Sequence, residues 1–221
     1  MLAAAAPAEG KVVVTTKTVP ITTNQTLWFD LNKDGIADFQ FKFLWRYVCA
    51  GTGDLVVKGP ARNGVVGGPL FGSSGNPYAA ALVRGAKIGP SAQFADYAVI
   101  EDSLVNYCSG SSHRGEYGHW GGNTTNRYLG VKFFINGALH YGWIRLTTSF
   151  PDKLAVSPSA TITAYAYETV ANKAISAGSA PSAIAEKAES IKGVAPGQPS
   201  LGMLALGADG LAIWRREEEW I

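Results

Sequence analysis

The sequence predicts an all-β fold, a β-sandwich or jelly roll, and three observations carry that expectation. Glycine is abundant, 26 in 221 residues, alongside much Thr, Val, Tyr and Phe and few runs of Glu, Lys or Leu, which suits strands and tight turns better than helices. Apolar and polar residues alternate from Phe39 to Tyr47, the period of a strand with one face in a core. The pair Asn136-Gly137 separates two strand-like runs at the spacing of a two-residue hairpin turn. At 47% hydrophobic and 16% charged, the chain can bury one sizeable core. The formal charge is +2 and Lys and Arg are scattered, so no basic stripe exists and no nucleic-acid partner is expected.

The elements follow in order. Met1 to Gly10, MLAAAAPAEG, has the small residues of a signal-peptide cleavage region without its charged start or full apolar stretch, and reads as a remnant of one. Lys11 to Gln25 is β-branched almost throughout and interrupted by Pro20, as in an edge strand with a bend. In the next strand Phe39, Phe41, Phe43, Trp45 and Tyr47 share one face, with Gln40, Lys42, Leu44 and Arg46 on the other. Gly51 to Gly89 is rich in Gly, Pro, Asn and Ser and reads as long loops between short strands such as Asp54 to Val57. Phe94 to Tyr107 supplies a further strand or two. The hairpin of Tyr128 to Leu146 should oppose Ile135 to Ala138, Phe133 to His140 and Val131 to Gly142, with Lys132 opposite Tyr141 on the other face. Ala160 to Glu168 is the last strand. After Ala177 the text turns small, polar and proline-punctuated, so the domain is placed at 11–177, a flexible linker at 178–200 and a short C-terminal apolar helix within 201–221.

The strongest chemical motif is Asp30-Leu-Asn32-Lys-Asp34-Gly35-Ile36-Ala-Asp38. Oxygen-bearing side chains at alternate positions, a glycine for the sharp turn and a closing carboxylate suit a hard cation, which relieves the repulsion among the three carboxylates. Calcium accepts six to eight oxygens, and the Ile36 carbonyl would supply one beside Asp30, Asn32, Asp34 and Asp38. An EF-hand would need an acid where Phe41 stands and helices on both sides. Here Trp28 and Phe29 precede the loop and Phe39 to Phe43 follow it, so strands flank it. It resembles the nine-residue calcium loops of β proteins such as integrin-type propeller repeats. A structural Ca2+ is expected, with a metal-free Asp-Gly turn as the plain alternative.

The two cysteines, Cys49 and Cys108, stand in strand-like contexts, and in an exported chain they are expected to form a disulfide. Catalysis has no positive signal. His113, Glu116 and His119 sit at three-residue spacing, but the Gly and Ser around them argue against the helix that would turn them to one metal. His140 falls on the apolar face of its hairpin and reads as a satisfied core histidine. Ser73, Ser74 and Ser112 lack the spacing of a nucleophile elbow, and neither a P-loop nor a dinucleotide fingerprint is present. Tyr78, Tyr117 and Trp120, set among Gly and Asn, could form a sugar-stacking platform, which makes a carbohydrate-binding module the alternative function and a polysaccharide the alternative partner.

Pro199 to Arg216 runs from a proline through an apolar stretch, Leu201 to Trp214, to Arg215 and Arg216. The stretch is shorter than the roughly 20 residues that span a bilayer, and Asp209 at its centre would cost about 2.5 to 3.5 kcal/mol. The arginines would stay on the cytoplasmic side, leaving the domain outside. This tail resembles the PEP-CTERM family of exported bacterial proteins, whose ends carry a Pro-containing motif, an apolar helix and a basic end, although Gln198-Pro199-Ser200 stands where Pro-Glu-Pro is usual. Tyr128 to Leu146 and Ala164 to Gly178 are similar to the β domain of members of unassigned function. The resemblance implies export, recognition of the tail by a membrane-embedded sorting enzyme and a cell-surface or extracellular location, with transient membrane association through the tail. The expectation is a non-enzymatic surface or extracellular-matrix structural protein, in which the Lys11 to Thr23 strand either closes its own sheet, the plain expectation, or adds to a neighbour's sheet edge in self-association.

Overall fold

A computed structural model describes residues 10–48, 50–60, 62–70, 77–106, 113–120, 123–149 and 159–180, and among these it contains strands and no helix. In chain order the strands are β1 (Val12–Ile21), β2 (Thr26–Phe29), β3 (Phe39–Val48), β4 (Ala50–Lys58), β5 (Gly64–Leu70), β6 (Pro77–Ala79) and β7 (Lys87–Ile88). They continue as β8 (Phe94–Ala95), β9 (Tyr97–Asn106), β10 (His113–Tyr117), β11 (Thr124–Ile135), β12 (Ala138–Ser149), β13 (Ser159–Glu168) and β14 (Ile175–Ser176).

Asn136 and Gly137 adopt φ of 49° and 80°, the left-handed pair that a two-residue hairpin turn needs. The turn fixes the register of β11 and β12 as expected, with Ile135 opposite Ala138, Phe133 opposite His140, Lys132 opposite Tyr141 and Val131 opposite Gly142. From this hairpin a continuous sheet extends in the order β1-β13-β12-β11-β5-β6-β9-β4-β3-β2, with β8 beside β5 and β10 beside β9. The sheet folds over, so that β1-β13-β12-β11-β5 face β6-β9-β4-β3-β2 across one core. Phe29, Phe41, Phe43, Leu55 and Ile100 from one side meet Val131, Phe133, Ile144, Ile162 and Tyr165 from the other. Phe29 and Tyr165 join the layers edge to face, with ring centroids 5.0 Å apart. The all-β layered fold is therefore the one the alternating pattern predicts.

The sheet's first and last strands are adjacent in sequence. The chain leaves β1 at one end of the sheet and enters β2 at the other. Thr23 pairs with Phe43 in a parallel bridge, and the Asn24 N–H donates to the Phe43 carbonyl at 2.6 Å. β1 takes β13 as its partner, with an irregularity between Thr16 and Val19, and Pro20 costs no ladder bond at such an edge.

The expectation of long loops over Gly51 to Gly89 is corrected. β4 occupies Ala50–Lys58 and β5 Gly64–Leu70, and residues 82–95 cover the outer face of the β11–β12–β13 layer. There Ile88, Leu82 and Phe94 pack with Tyr128, Tyr141 and Trp143, while Ile175 and Ala177 close the same cluster through the β7–β14 pair. β12 is consequently buried on both faces from His140 to Ile144. Packing also runs past the expected domain end at 177. Trp143 donates its indole N–H to the Ser179 hydroxyl at 3.4 Å, and the compact unit ends at Pro181. The remaining linker and the tail, including Pro199, Leu201, Trp214, Arg215 and Arg216, lie outside the described residues. So does the segment 1–9. Among the described residues no helix is long and apolar enough to cross a membrane.

Candidate metal centre

Residues 30–38 connect β2 to β3, whose last and first residues, Phe29 and Phe39, are register partners. The Asp38 N–H donates to the Phe29 carbonyl at 2.9 Å and closes the loop at its base. Within it, Asp30 acts as the hub: its Oδ1 accepts the Lys33 N–H at 2.6 Å and its Oδ2 the Gly35 N–H at 2.8 Å. Lys33 and Gly35 reach φ of 64° and 89°, and these two left-handed turns wind the backbone around the Asp30 carboxylate. Asp34 Oδ1 accepts the Ile36 N–H at 2.8 Å, and its Oδ2 accepts the Asn32 side-chain amide at 2.8 Å. Ile36 is 71% exposed, its side chain turned to solvent.

Asp38 differs from the other acids in being buried, at 5% exposure. Its Oδ2 accepts the Leu31 N–H at 2.8 Å. Burial drives its pKa up to about 6; the Leu31 N–H pulls the other way, and the charges of Asp30 and Asp34 push it further up. Asn63, in the turn between β4 and β5, donates its amide to the Asp38 carbonyl at 3.0 Å and fixes the loop to the second sheet crossing. The Tyr167 phenol on β13 is pushed above its ordinary pKa by burial first, then by Asp34 and Asp38, so the loop's field reaches the facing layer.

The donor set fits calcium in kind: four oxygen side chains and the Ile36 carbonyl on a loop of alternating positions, with no soft ligand among them. The loop is closed by its own N–H groups in this arrangement, and among the described residues no three His, Cys, Asp or Glu side chains are gathered as a metal cage. For a cation to enter, Asn32 has to present its oxygen in place of the amide it now gives to Asp34.

The other sequence candidates separate. His140 is a core histidine, 6% exposed, with Nδ1 held 2.9 Å from the Glu168 carbonyl oxygen. His113–Tyr117 is strand β10, so the spacing of His113, Glu116 and His119 has no helical meaning. The sugar-stacking platform is corrected: Trp120 is 1% exposed with its indole donating to the Ala79 carbonyl at 3.2 Å, and Tyr78 is 7% exposed against Val56 and Val99. The side chain of Tyr117 lies outside the described residues, as do Ser73, Ser74, Ser112, Cys49 and Cys108. The residues flanking the cysteines are described, and Ala50 and Asn106 are direct register partners on β4 and β9. Sequence reasoning missed Asn63, whose bond to the loop spans 25 residues and leaves no local signature.

No family model matches the chain, and neither a curated protein nor a solved structure matches it.

Proposed function

We propose that this is a non-catalytic, calcium-braced β domain of an exported surface or extracellular-matrix protein. The observation that carries the reading is the Asp30–Asp38 loop: a closed turn of oxygen donors that joins two core strands and is tied by Asn63 to the turn between β4 and β5. A cation there would act on the stability of the sandwich, since Phe29 and Phe39 at its base are both core residues. A closed ligand set leaves no position for substrate, which makes the role structural. Titration of metal-free protein with calcium, followed by calorimetry and thermal melting, tests it. Absence of binding heat together with an unchanged melting curve would overturn it.

The apolar tail with Arg215 and Arg216, and its resemblance to PEP-CTERM ends, support delivery to the cell surface through a membrane-embedded sorting enzyme. Self-association is part of the same reading. β1 has β13 as its partner within the chain, so its other edge, and not donation of the whole strand, is where a second copy would add. Sedimentation of the domain with calcium, at rising concentration, tests that arm.

A further inference from the structure

Where the β11–β12 turn meets the end of β13, Ile135, Asn136, Ala138, His140, Tyr167 and Thr169 line an open groove of about 490 Å3, within the usual range for small-molecule sites. His140 gives it chemical direction. A carbonyl oxygen only accepts, so the 2.9 Å contact to Glu168 places the proton on Nδ1. With that proton on Nδ1, Nε2 presents a lone pair, for which no hydrogen-bond partner is found among the described residues, on a side chain at the groove wall that is 6% exposed. Thr169 Oγ1 accepts the Lys11 N–H at 3.1 Å and so keeps its own hydrogen to donate. The Tyr167 hydroxyl is a second donor, and Asn136 adds an amide at the rim. Ile135 and Ala138 supply apolar wall, and the half-buried Tyr167 ring is held edge-on by Phe133, 5.7 Å away.

No lining residue carries a formal charge. An anion would meet the field of Asp34 and Asp38 that reaches Tyr167, and an ammonium group would find no carboxylate on the wall to pair with. Acceptor, hydroxyl donors, amide and a ring face together suit a neutral molecule with several hydroxyl groups. We propose that this groove binds one neutral sugar unit, with a sugar hydroxyl donating to His140 Nε2 and others accepting from Tyr167 and Thr169. The groove shares no lining residue with the calcium loop or with the Tyr78, Tyr117 and Trp120 set first considered for sugar binding.

The experiment is saturation-transfer NMR and calorimetry on the full chain with the methyl glycosides of glucose, galactose, mannose and N-acetylglucosamine, each up to about 10 mM, a range that detects weak affinities. Binding of at least one glycoside is expected, with a shift of the His140 Nε2 nitrogen resonance. Tyr167→Phe, which keeps the ring, should weaken binding about tenfold or more with little change in melting temperature. His140→Asn, whose amide can still donate to Glu168, should weaken it likewise while also lowering the melting temperature, since part of a buried ring is lost. Excess chelator should leave the affinity unchanged, because no loop carboxylate lines the groove. The proposal is overturned if no glycoside binds, if both variants bind like the parent chain, if binding requires calcium, or if spermidine binds and the glycosides do not.

Discussion

Asp38 Oδ2 lies 2.8 Å from the Leu31 nitrogen and accepts its N–H, which draws an acidic side chain seven residues downstream back beneath the loop it closes. The contact supplies one strong partner to a carboxylate that has lost nearly all its water. It leaves the charge costly, as the pKa of about 6 against an ordinary 3.8 shows.

In metal-free protein this cost is expected to appear as pH dependence. Because the folded-state pKa is raised, Asp38 contributes its stabilisation in full below pH 3.8, and that contribution is lost as pH rises through about 6. The difference is at most about 3 kcal/mol, and less to the extent that water screens the carboxylate. Denaturant unfolding of chelated protein between pH 4 and 7.5 should show stability declining across this window. Asp38→Asn should flatten that part of the profile, and an identical decline in the variant would exclude Asp38 as its source.

Calcium should reverse the penalty by placing positive charge beside the same carboxylate. With free calcium at 100 times Kd the gain is about 2.7 kcal/mol, or roughly 5 to 10 °C in melting temperature for a domain of this size. Asp34→Ala and Asp30→Ala should remove the gain. Asp30→Ala should also destabilise the chelated protein, because Lys33 and Gly35 lose their acceptor. A calcium response retained in both variants would show that the ion sits elsewhere.

Two glycines are expected to resist substitution for different reasons. A Cβ on Gly130 would stand 2.7 Å from Val66 Cγ2, 2.9 Å from Leu82 Cδ1 and 3.0 Å from Ile88 Cγ1. Gly130→Ala should therefore overpack the outer cluster and cost about 1 to 3 kcal/mol. At Gly137 nothing lies within 4 Å, so the penalty of Gly137→Ala is the left-handed backbone alone, about 1 kcal/mol. Urea midpoints of the two variants check both the sign and the order.

A single Cys49–Cys108 link is expected in protein taken from an oxidising compartment. Each cysteine is within two residues of a member of the Ala50–Asn106 register pair, which brings the two chain segments together. Non-reducing peptide mapping should find one crosslinked fragment. Two thiols open to alkylation in the native material would contradict it.

Removing residues 201–221 should leave the melting temperature of the domain within about 1 °C, as expected for substitutions and truncations away from a packed core. The compact unit ends at Pro181, before the tail begins. Fractionation of cells expressing the truncated chain should show a changed location. A fall in melting temperature would place the tail's apolar residues in the domain's own packing.

The features legible in the sequence were those set by near neighbours. Asn136-Gly137 dictates its own φ angles, and the register of a whole hairpin follows from them. The alternation of Phe39, Phe41 and Phe43 marks a core face, and all three are fully buried. The oxygen spacing of Asp30 to Asp38 locates the loop for the same reason. What escaped depends on residues far apart in the chain. Trp120 is covered beside Ala79, a bond that spans 41 residues, so its polar sequence neighbours gave a false impression of exposure. Ile88 and Ile175 cover Tyr141 and Trp143 from segments with no regular period, which is why Gly51 to Gly89 read as loops. The groove beside His140 was hidden likewise, because its walls come from a turn and from a strand that begins after it.

The pairing of β1 with β13 sets a timetable for the newborn chain. Lys11 meets Thr169 across 158 residues, so β1 is without its hydrogen-bonding partner during synthesis until nearly the whole of the domain has followed it. Closing so long a loop is slow compared with forming the local β11–β12 hairpin. The hairpin therefore comes early and the N-terminal strand last, and during that interval a β-branched strand waits with both edges bare. The stage most open to wrong pairing is thus the chain's own maturation, before the last seam of the sheet is sewn.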